Sequence, residues 1–444
     1  MEKPRVALVT VANHFESGGE RWEKILGNAK NELEKNGMNV ICASKMVWDA
    51  ADAITVIDQF IENDPDLLVI IHITWVCDTI QYLFVNNLEC PRLLWAIPYM
   101  ETFSLGCVQH FGSILLENGF HYKYVYGMPQ DREVISIVKS FAETAAIASG
   151  LRKARIALIG PRQTWRVANS QDMTKEEWDF SKSFGTTIIH IEMDELINTV
   201  EKISSKEAEE VLENLKKKNR LGKVETDKKR MQYATKVYLG VKELFKRYGL
   251  TAAAAECYPM YNGLVNLPSS LLADEGIILD TEGDISHTFM LVALYLMGKM
   301  GPAALGEIGH IEFKDNTIFI DHEGSSAHSL AEDVSEVHIQ NGGDGTMVGF
   351  PFKPLTEVTM TNICGTCGTY RALITKGSTL RIDHKTWVQA GSKLLIKVKV
   401  NNSGELFERL LNEGIDHHIL VKEGDVTRQL EDLFDILKIK KIII

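Results

Sequence analysis

A chain of 444 residues is long enough for two or three domains with buried cores. Its 45% apolar and 24% charged content is that of an ordinary globular protein, and a formal charge of −12 without a long basic block argues against nucleic acid as a main partner. Seven scattered cysteines, an odd number, do not form a disulfide framework.

The N-terminal Met1-Glu2-Lys3-Pro4 runs straight into a strand-like segment, without the apolar core of a signal peptide. Val, Ile and Leu then crowd residues 5–11, 38–43, 67–73 and 92–97, the strand candidates, while 20–35 and 50–62 carry helical apolar spacing. This alternation predicts a parallel sheet with helices on both faces. Ligands bind beyond the carboxyl ends of such strands, so Ala12-Asn13-His14-Phe15 and Ile73-Thr74-Trp75 are candidate binding loops. A second α/β unit starts at Lys153, with strands at 155–160 and 186–192. The lysine-rich stretch 201–229 reads as a solvated helical surface. Two apolar segments, 252–255 and 277–280, each end in polar groups, Glu256-Cys257-Tyr258-Pro259 and Thr281-Glu282-Gly283-Asp284.

Beyond Gly301 short β-branched runs alternate with turns at 317–320, 357–361, 372–375 and 394–400, which predicts an antiparallel sandwich or barrel. Cys364-Gly365-Thr366-Cys367 lacks the second ligand pair of a zinc site and reads as a plain β-turn. A helix-like stretch, 426–437, precedes an extended tail, 439–444. The longest apolar runs, 67–77 and 289–297, are too short to cross a bilayer, so the expectation is a cytoplasmic protein with no membrane partner. The fold class expected is α/β: two doubly wound parallel-sheet domains, 1–152 and 153–300, followed by a mainly antiparallel β domain, 301–444.

Chemistry concentrates in a few residues. Gly283 allows a tight turn that presents Glu282 at a strand's carboxyl end. Asp284, just before an apolar run, is well placed as a helix N-cap, which leaves Glu282 as the better ligand candidate. Glu307 follows 25 residues later in an apolar and glycine-rich setting, where an ionised carboxylate is costly unless compensated. His322 closes a strand candidate, and His417-His418 precedes another. Adjacent strand residues face opposite ways, so at most one of that pair is expected to point into a given site. Two carboxylates with one or two imidazoles, and no matching thiolates, suit manganese, magnesium or cobalt better than a closed zinc site.

With these residues in place the chain resembles the L-fucose/L-arabinose isomerase family, metal-dependent aldose–ketose isomerases. Its Glu-Gly-Asp followed by a second glutamate is nearer the arabinose branch. The resemblance implies that Glu282 and Glu307 are metal-binding, proton-transferring acids, and that His322 and His418 complete the metal site. It also implies a divalent ion, Mn2+ first with Co2+ or Mg2+ as options, a small sugar as substrate, and a homo-oligomer such as a hexamer. Gly127-Met128-Pro129-Gln130-Asp131 and Gln163-Thr164-Trp165-Arg166-Val167-Ala168 look like the family's second-domain start, and Asn13-His14 stands where it has Gln-His. Asn13, Trp165, Arg166 and Tyr258 are the expected substrate-binding residues.

Departures fall in the sugar-contacting parts. Ile285 replaces the tryptophan after Glu-Gly-Asp, and Leu94-Trp95-Ala96-Ile97-Pro98-Tyr99 replaces a segment with sugar-binding Gln and His. Together with the basic Arg162 and Arg166, they motivate an alternative substrate, an anionic sugar such as a sulfonated one. The rival from another class is a non-catalytic intracellular sugar-binding protein.

Overall fold

Alternate residues of the first strands enter different apolar clusters. Val6 and Leu8 join Val69 and Ile71 on one side, while Ala7 and Val9 join Leu68, Ile70 and Leu94 on the other. A sheet buried on both faces needs near-continuous apolar strands, which is what residues 5–11 and 67–72 provide. A computed structural model describes residues 3–162, 166–169, 172–323 and 326–444. It divides into two compact units, Met1–Gly150 with Asp435–Leu437, and Leu151–Phe434 with Lys438–Ile444.

The first unit is a parallel five-stranded sheet in the order Asn39–Cys42, Arg5–Val11, Leu67–His72, Arg92–Ala96, Lys123–Tyr126. Helices Trp22–Lys35, Ala50–Ile61, Asp78–Asn87, Ser104–Glu117 and Arg132–Arg152 alternate with these strands. The last helix is long and apolar enough to cross a bilayer by composition alone, yet Val134, Val138, Phe141 and Ala145 lie in the core. Asn13 lies in the loop after the first strand of this unit, where its backbone N–H donates to Thr74 Oγ1 at 2.9 Å.

The second unit opens with a parallel four-stranded sheet in the order Ile278–Asp280, Ala252–Ala255, Arg155–Ile159, Thr187–Ile191. The lysine-rich stretch is not one helix. Ser204 and Asp227 each cap a new start, so Ser205–Lys217 and Lys228–Tyr248 are separated by the short strand Lys223–Val224.

The antiparallel part is a barrel. Leu355–Thr361 pairs with His418–Glu423, which pairs with Ala304–Glu312, then Thr317–His322, Leu394–Val400 and Thr369–Leu380. Thr369–Leu380 pairs back to Leu355–Thr361, so the ring has no free edge. The tail forms a strand, Lys440–Ile443, that pairs in parallel with Thr369–Leu380. Cys364 and Cys367 sit at a hairpin, Cys364 buried in its first strand and Cys367 at the turn with φ 51°. One apolar core runs through both halves of the unit, from Ala157 and Leu279 to Ile318, Val398 and Val421. That shared core brings the carboxyl end of Ile278–Asp280 to the rim of the barrel.

Candidate active site

Asp280 closes the turn that follows its strand: Oδ2 accepts the backbone N–H groups of Glu282 at 2.8 Å and Asp284 at 2.9 Å. Gly283 has φ 74°, and a Cβ built there would come within 2.5 Å of the Glu256 carboxyl carbon. Only glycine fits, because any side chain would be strained and would clash. The turn projects Glu282 toward the barrel. There, the strand register sets Glu307 directly opposite His418 on one side and Asp321 on the other, and opposed residues have Cβ atoms about 4.5–5.5 Å apart. His418 opens its strand and His322 closes another.

The outcome is a group of two carboxylates and two imidazoles, Glu282, Glu307, His322 and His418, whose ligand atoms all lie within 4.8 Å of one another. Glu282 Oε1 is 3.6 Å from His322 Nε2, and its Oε2 is 3.8 Å from His418 Nε2. Glu307 Oε1 is also 3.8 Å from His418 Nε2. That nitrogen is buried and makes no hydrogen bond. The other ring nitrogen, Nδ1, lies 2.8 Å from Asp284 Oδ2. An ionised carboxylate only accepts, so Nδ1 carries the proton and Nε2 is the atom left to coordinate. The donor set therefore fits a divalent cation of the oxygen- and imidazole-loving kind.

Asp284 does cap the helix Ile285–Leu296, through His287 N–H at 2.9 Å, but it also accepts from Ser286 Oγ and lies 2.6 Å from His287 Nδ1. Despite full burial, the neighbouring His287 and His418 hold this carboxyl well below its ordinary range. Burial pushes the Glu282 carboxyl up, and it pulls the His322 ring down to about 3, so that ring is neutral. Burial also pulls His418 down, but Asp284 and Asp172 outweigh it and lift the ring to about 9.

The expectation for the histidine pair needs correction. His417 precedes the strand rather than belonging to it, so strict alternation does not apply, and both rings reach the site. They stack at 4.3 Å between centroids; His417 Nε2 lies 3.5 Å from Glu307 and Nδ1 2.7 Å from Asp172. Against the pull of burial, those two acids raise His417 to about 10, and its hydrogen bond in turn holds Glu307 down to about 2. Asp172 is itself lowered to about 2: burial would raise it, but the hydrogen bond from His417 prevails. It also accepts the His418 backbone N–H at 3.3 Å.

A cavity of about 190 Å³ opens onto this group, lined among others by Tyr258, Asp321, Glu323, Lys393 and His417. Tyr258 is one of the residues that line the cavity. Arg166 is fully buried and spends its guanidinium on Glu282 O at 3.2 Å and Tyr258 O at 3.1 Å. Arg162 is likewise committed to carboxylates and carbonyls. Neither arginine offers the open cation that made them suggestive of an anionic substrate. Trp165 lies outside the described residues, and Asn13 belongs to the first unit.

Comparison with known proteins bears on the same residues. A family model described as the L-arabinose isomerase central domain matches residues 173–300, the segment that carries Glu282. Proteins named sulfoquinovose isomerase are similar almost end to end. One from Clostridium sp. (strain MSTE9) is 24% identical over 447 residues, covering 96% of this chain and 95% of its own. Another from Priestia aryabhattai is 22% identical over 429 residues, covering 92% of each, and one from Alkalicoccus urumqiensis is 21% identical over 392, covering 84% and 85%. The chain resembles the L-fucose/L-arabinose isomerase family. These similarities carry the reaction class, the interconversion of an aldose and its ketose.

Asp172 escaped sequence reasoning, while Glu256 and His417 were visible but not assigned to the site. Asp172 in Gln171-Asp172-Met173-Thr174 resembles any loop acid before a helix, and only its distance to the histidines marks it. Glu256 at the end of an alanine strand was visible as a polar group delivered by an apolar segment. For His417 the bend just before the strand was the missing information.

Proposed function

We propose that the protein is a divalent-metal-dependent isomerase that interconverts a sulfonated hexose aldose and its ketose. The convergence of Glu282, Glu307, His322 and His418 at one cavity carries this reading. The similarity over nearly the whole chain to sulfoquinovose isomerases supports the substrate class. A bound Mn2+, or Co2+ or Mg2+, would stabilise the negative charge that develops on two adjacent substrate oxygens.

In this reading Glu282 and Glu307 combine holding the ion with moving the proton. One carboxylate takes the proton from C2, the C–H electron pair becomes the second C1–C2 bond of an enediolate, and the carbonyl π pair moves onto O1. The same proton returns to C1, while the O2 hydroxyl proton passes to O1. Glu307 is the more exposed acid, and the His417 imidazolium at 3.5 Å keeps it ionised and ready to accept. Asp284 and Asp172 hold the two histidines in place. Seven scattered cysteines without a disulfide framework fit a cytoplasmic setting, and a homo-oligomer is the expected assembly.

The decisive experiment is metal analysis of the purified protein, then an aldose panel containing a sulfonated hexose, arabinose and fucose. Turnover of the sulfonated sugar is expected. Comparable turnover of arabinose or fucose, with none of the sulfonated hexose, would return the substrate to the neutral sugars. Lys393 is the single lysine among the described residues lining the cavity, with Nζ 3.7 Å from Glu323. Replacing it by glutamine is expected to raise KM for a sulfonated hexose about 10-fold or more, the worth of one charge-assisted hydrogen bond, and to leave a neutral sugar unaffected. Equal effects on both sugars would assign Lys393 no part in charge recognition.

Metal uptake should also release protons. At neutral pH the His418 ring, lifted to about 9, is protonated in the metal-free protein, and an ion must displace the proton from Nε2. Affinity is therefore expected to strengthen as pH rises toward 9 and weaken below it. Calorimetry in two buffers of different ionisation enthalpy reads the proton count; identical heats would contradict His418 as a ligand.

A further inference from the structure

Arg162 and Glu256 lie beside the site without belonging to the metal group, and their contacts converge on it from two directions. Arg162 Nη1 donates to Glu256 Oε1 and to Gly283 O, both at 2.8 Å, and to Met173 O. Its Nη2 donates to Lys175 O at 3.1 Å and to Glu177 Oε1 at 3.0 Å. One planar guanidinium thus joins two backbone segments. The first is the turn that projects Glu282. The second follows directly on Asp172, the acid that accepts His417 Nδ1 and the His418 N–H. Glu256 is fully buried between Arg162 at 2.8 Å and Arg166 at 3.7 Å, and its backbone forms an isolated antiparallel bridge with Glu282. Arg166 adds a hydrogen bond to Glu282 O.

We infer that Arg162, with buried Glu256 as its counter-ion, is a positioning residue that sets the spacing between the Glu282 turn and the histidine pair. The inference rests on the metal-site reading above. A ligand set works only when held within about 0.5 Å of its productive geometry, and here the acid and the imidazoles arrive on separate segments. Hydrogen bonds to carbonyls of the Glu282 turn and of the segment after Asp172, the acid that holds His417 and His418, supply that constraint. A lysine keeps the positive charge beside Glu256, but its single ammonium cannot reproduce the planar fork across both segments.

The test measures Mn2+ affinity of the metal-stripped full-length protein by electron paramagnetic resonance of the free ion. Arg162→Lys is expected to weaken Mn2+ binding about 10–100-fold, the usual effect of losing a group that orients metal ligands. At saturating Mn2+, kcat should fall about 10-fold or more while KM for the sugar stays within about threefold, because the loss is in geometry rather than sugar contact. Glu256→Gln should shift Mn2+ affinity in the same direction. A merely structural role would lower the melting temperature and leave Mn2+ affinity of the folded protein unchanged. Wild-type Mn2+ affinity in folded Arg162→Lys overturns the inference; if that variant does not fold, the same result in Glu256→Gln does. Absence of isomerase activity in the wild type would count against the proposed function alone, since Mn2+ affinity is read without turnover.

Discussion

Glu307→Gln is expected to lower turnover about 10²–10⁴-fold while the fold survives, since the amide can neither accept the carbon proton nor return it. The side chain is 41% exposed and stands on a barrel strand whose register does not depend on its charge. The melting temperature of the metal-free variant should therefore stay within a few degrees of the wild type. The assay is the aldose–ketose equilibrium followed by chromatography or NMR, with metal content measured on the same sample. A metal-loaded variant retaining about a tenth of the activity would remove Glu307 from proton transfer, because a loss that small falls below what a positioned base contributes.

Asp284→Asn should cost stability as well as metal. Asp284 is wholly buried and takes Ser286 Oγ, His287 N–H and the Nδ1 atoms of His287 and His418 on its two oxygens. An asparagine must point an NH2 group at one of those donors, which leaves a buried polar group unpaired. Losing one member of such a buried charged network costs on the order of 3–5 kcal/mol. Metal affinity should fall about 10–100-fold as well, because the His418 ring loses the acceptor that orients it. The sign of the pH dependence follows from the depressed carboxyl. Its stabilisation is fully present above the unfolded-state value near 3.8 and is lost as pH falls toward the lower folded value. Urea unfolding at pH 7 should therefore show the full difference between variant and wild type, and that difference should shrink below about pH 4. A difference that stays constant down to pH 3 would mean that Asp284 acts through its shape and not its charge.

Much of the fold was legible in the chain. A strand buried on both faces must be apolar throughout, so the runs at 5–11, 67–72 and 92–96 stood out against their amphipathic neighbours. The barrel strands showed through β-branched residues and turns, but the closure of Thr369–Leu380 onto Leu355–Thr361 did not, since pairing partners are set by long-range register. The strand that carries Glu307 was the hardest to see, because Gly306 and Gly309 dilute its β character. Gly306 is needed there, since a Cβ would come within 2.7 Å of Ile320 Cγ2 and 2.9 Å of the Asp321 carbonyl oxygen on the neighbouring strand. The lysine-rich stretch read as a solvated helical surface from its charged, helix-favouring residues, while the caps at Ser204 and Asp227 that divide it look like ordinary surface residues.

By itself the sequence determined the α/β class, the placing of Glu282 on a glycine turn at a strand end, and a set of acids and histidines suited to a divalent ion. These follow from local rules: periodicity, turn chemistry and ligand type. Tertiary structure alone decided which of those groups meet. His417 reaches the site because its strand begins one residue later, Asp284 serves both as cap and as the acceptor for His418, and Arg162 turns inward to carbonyls and acids instead of outward to a substrate. Each of these depends on segments far apart in the chain arriving at one point, a property of the shared core that no local pattern encodes.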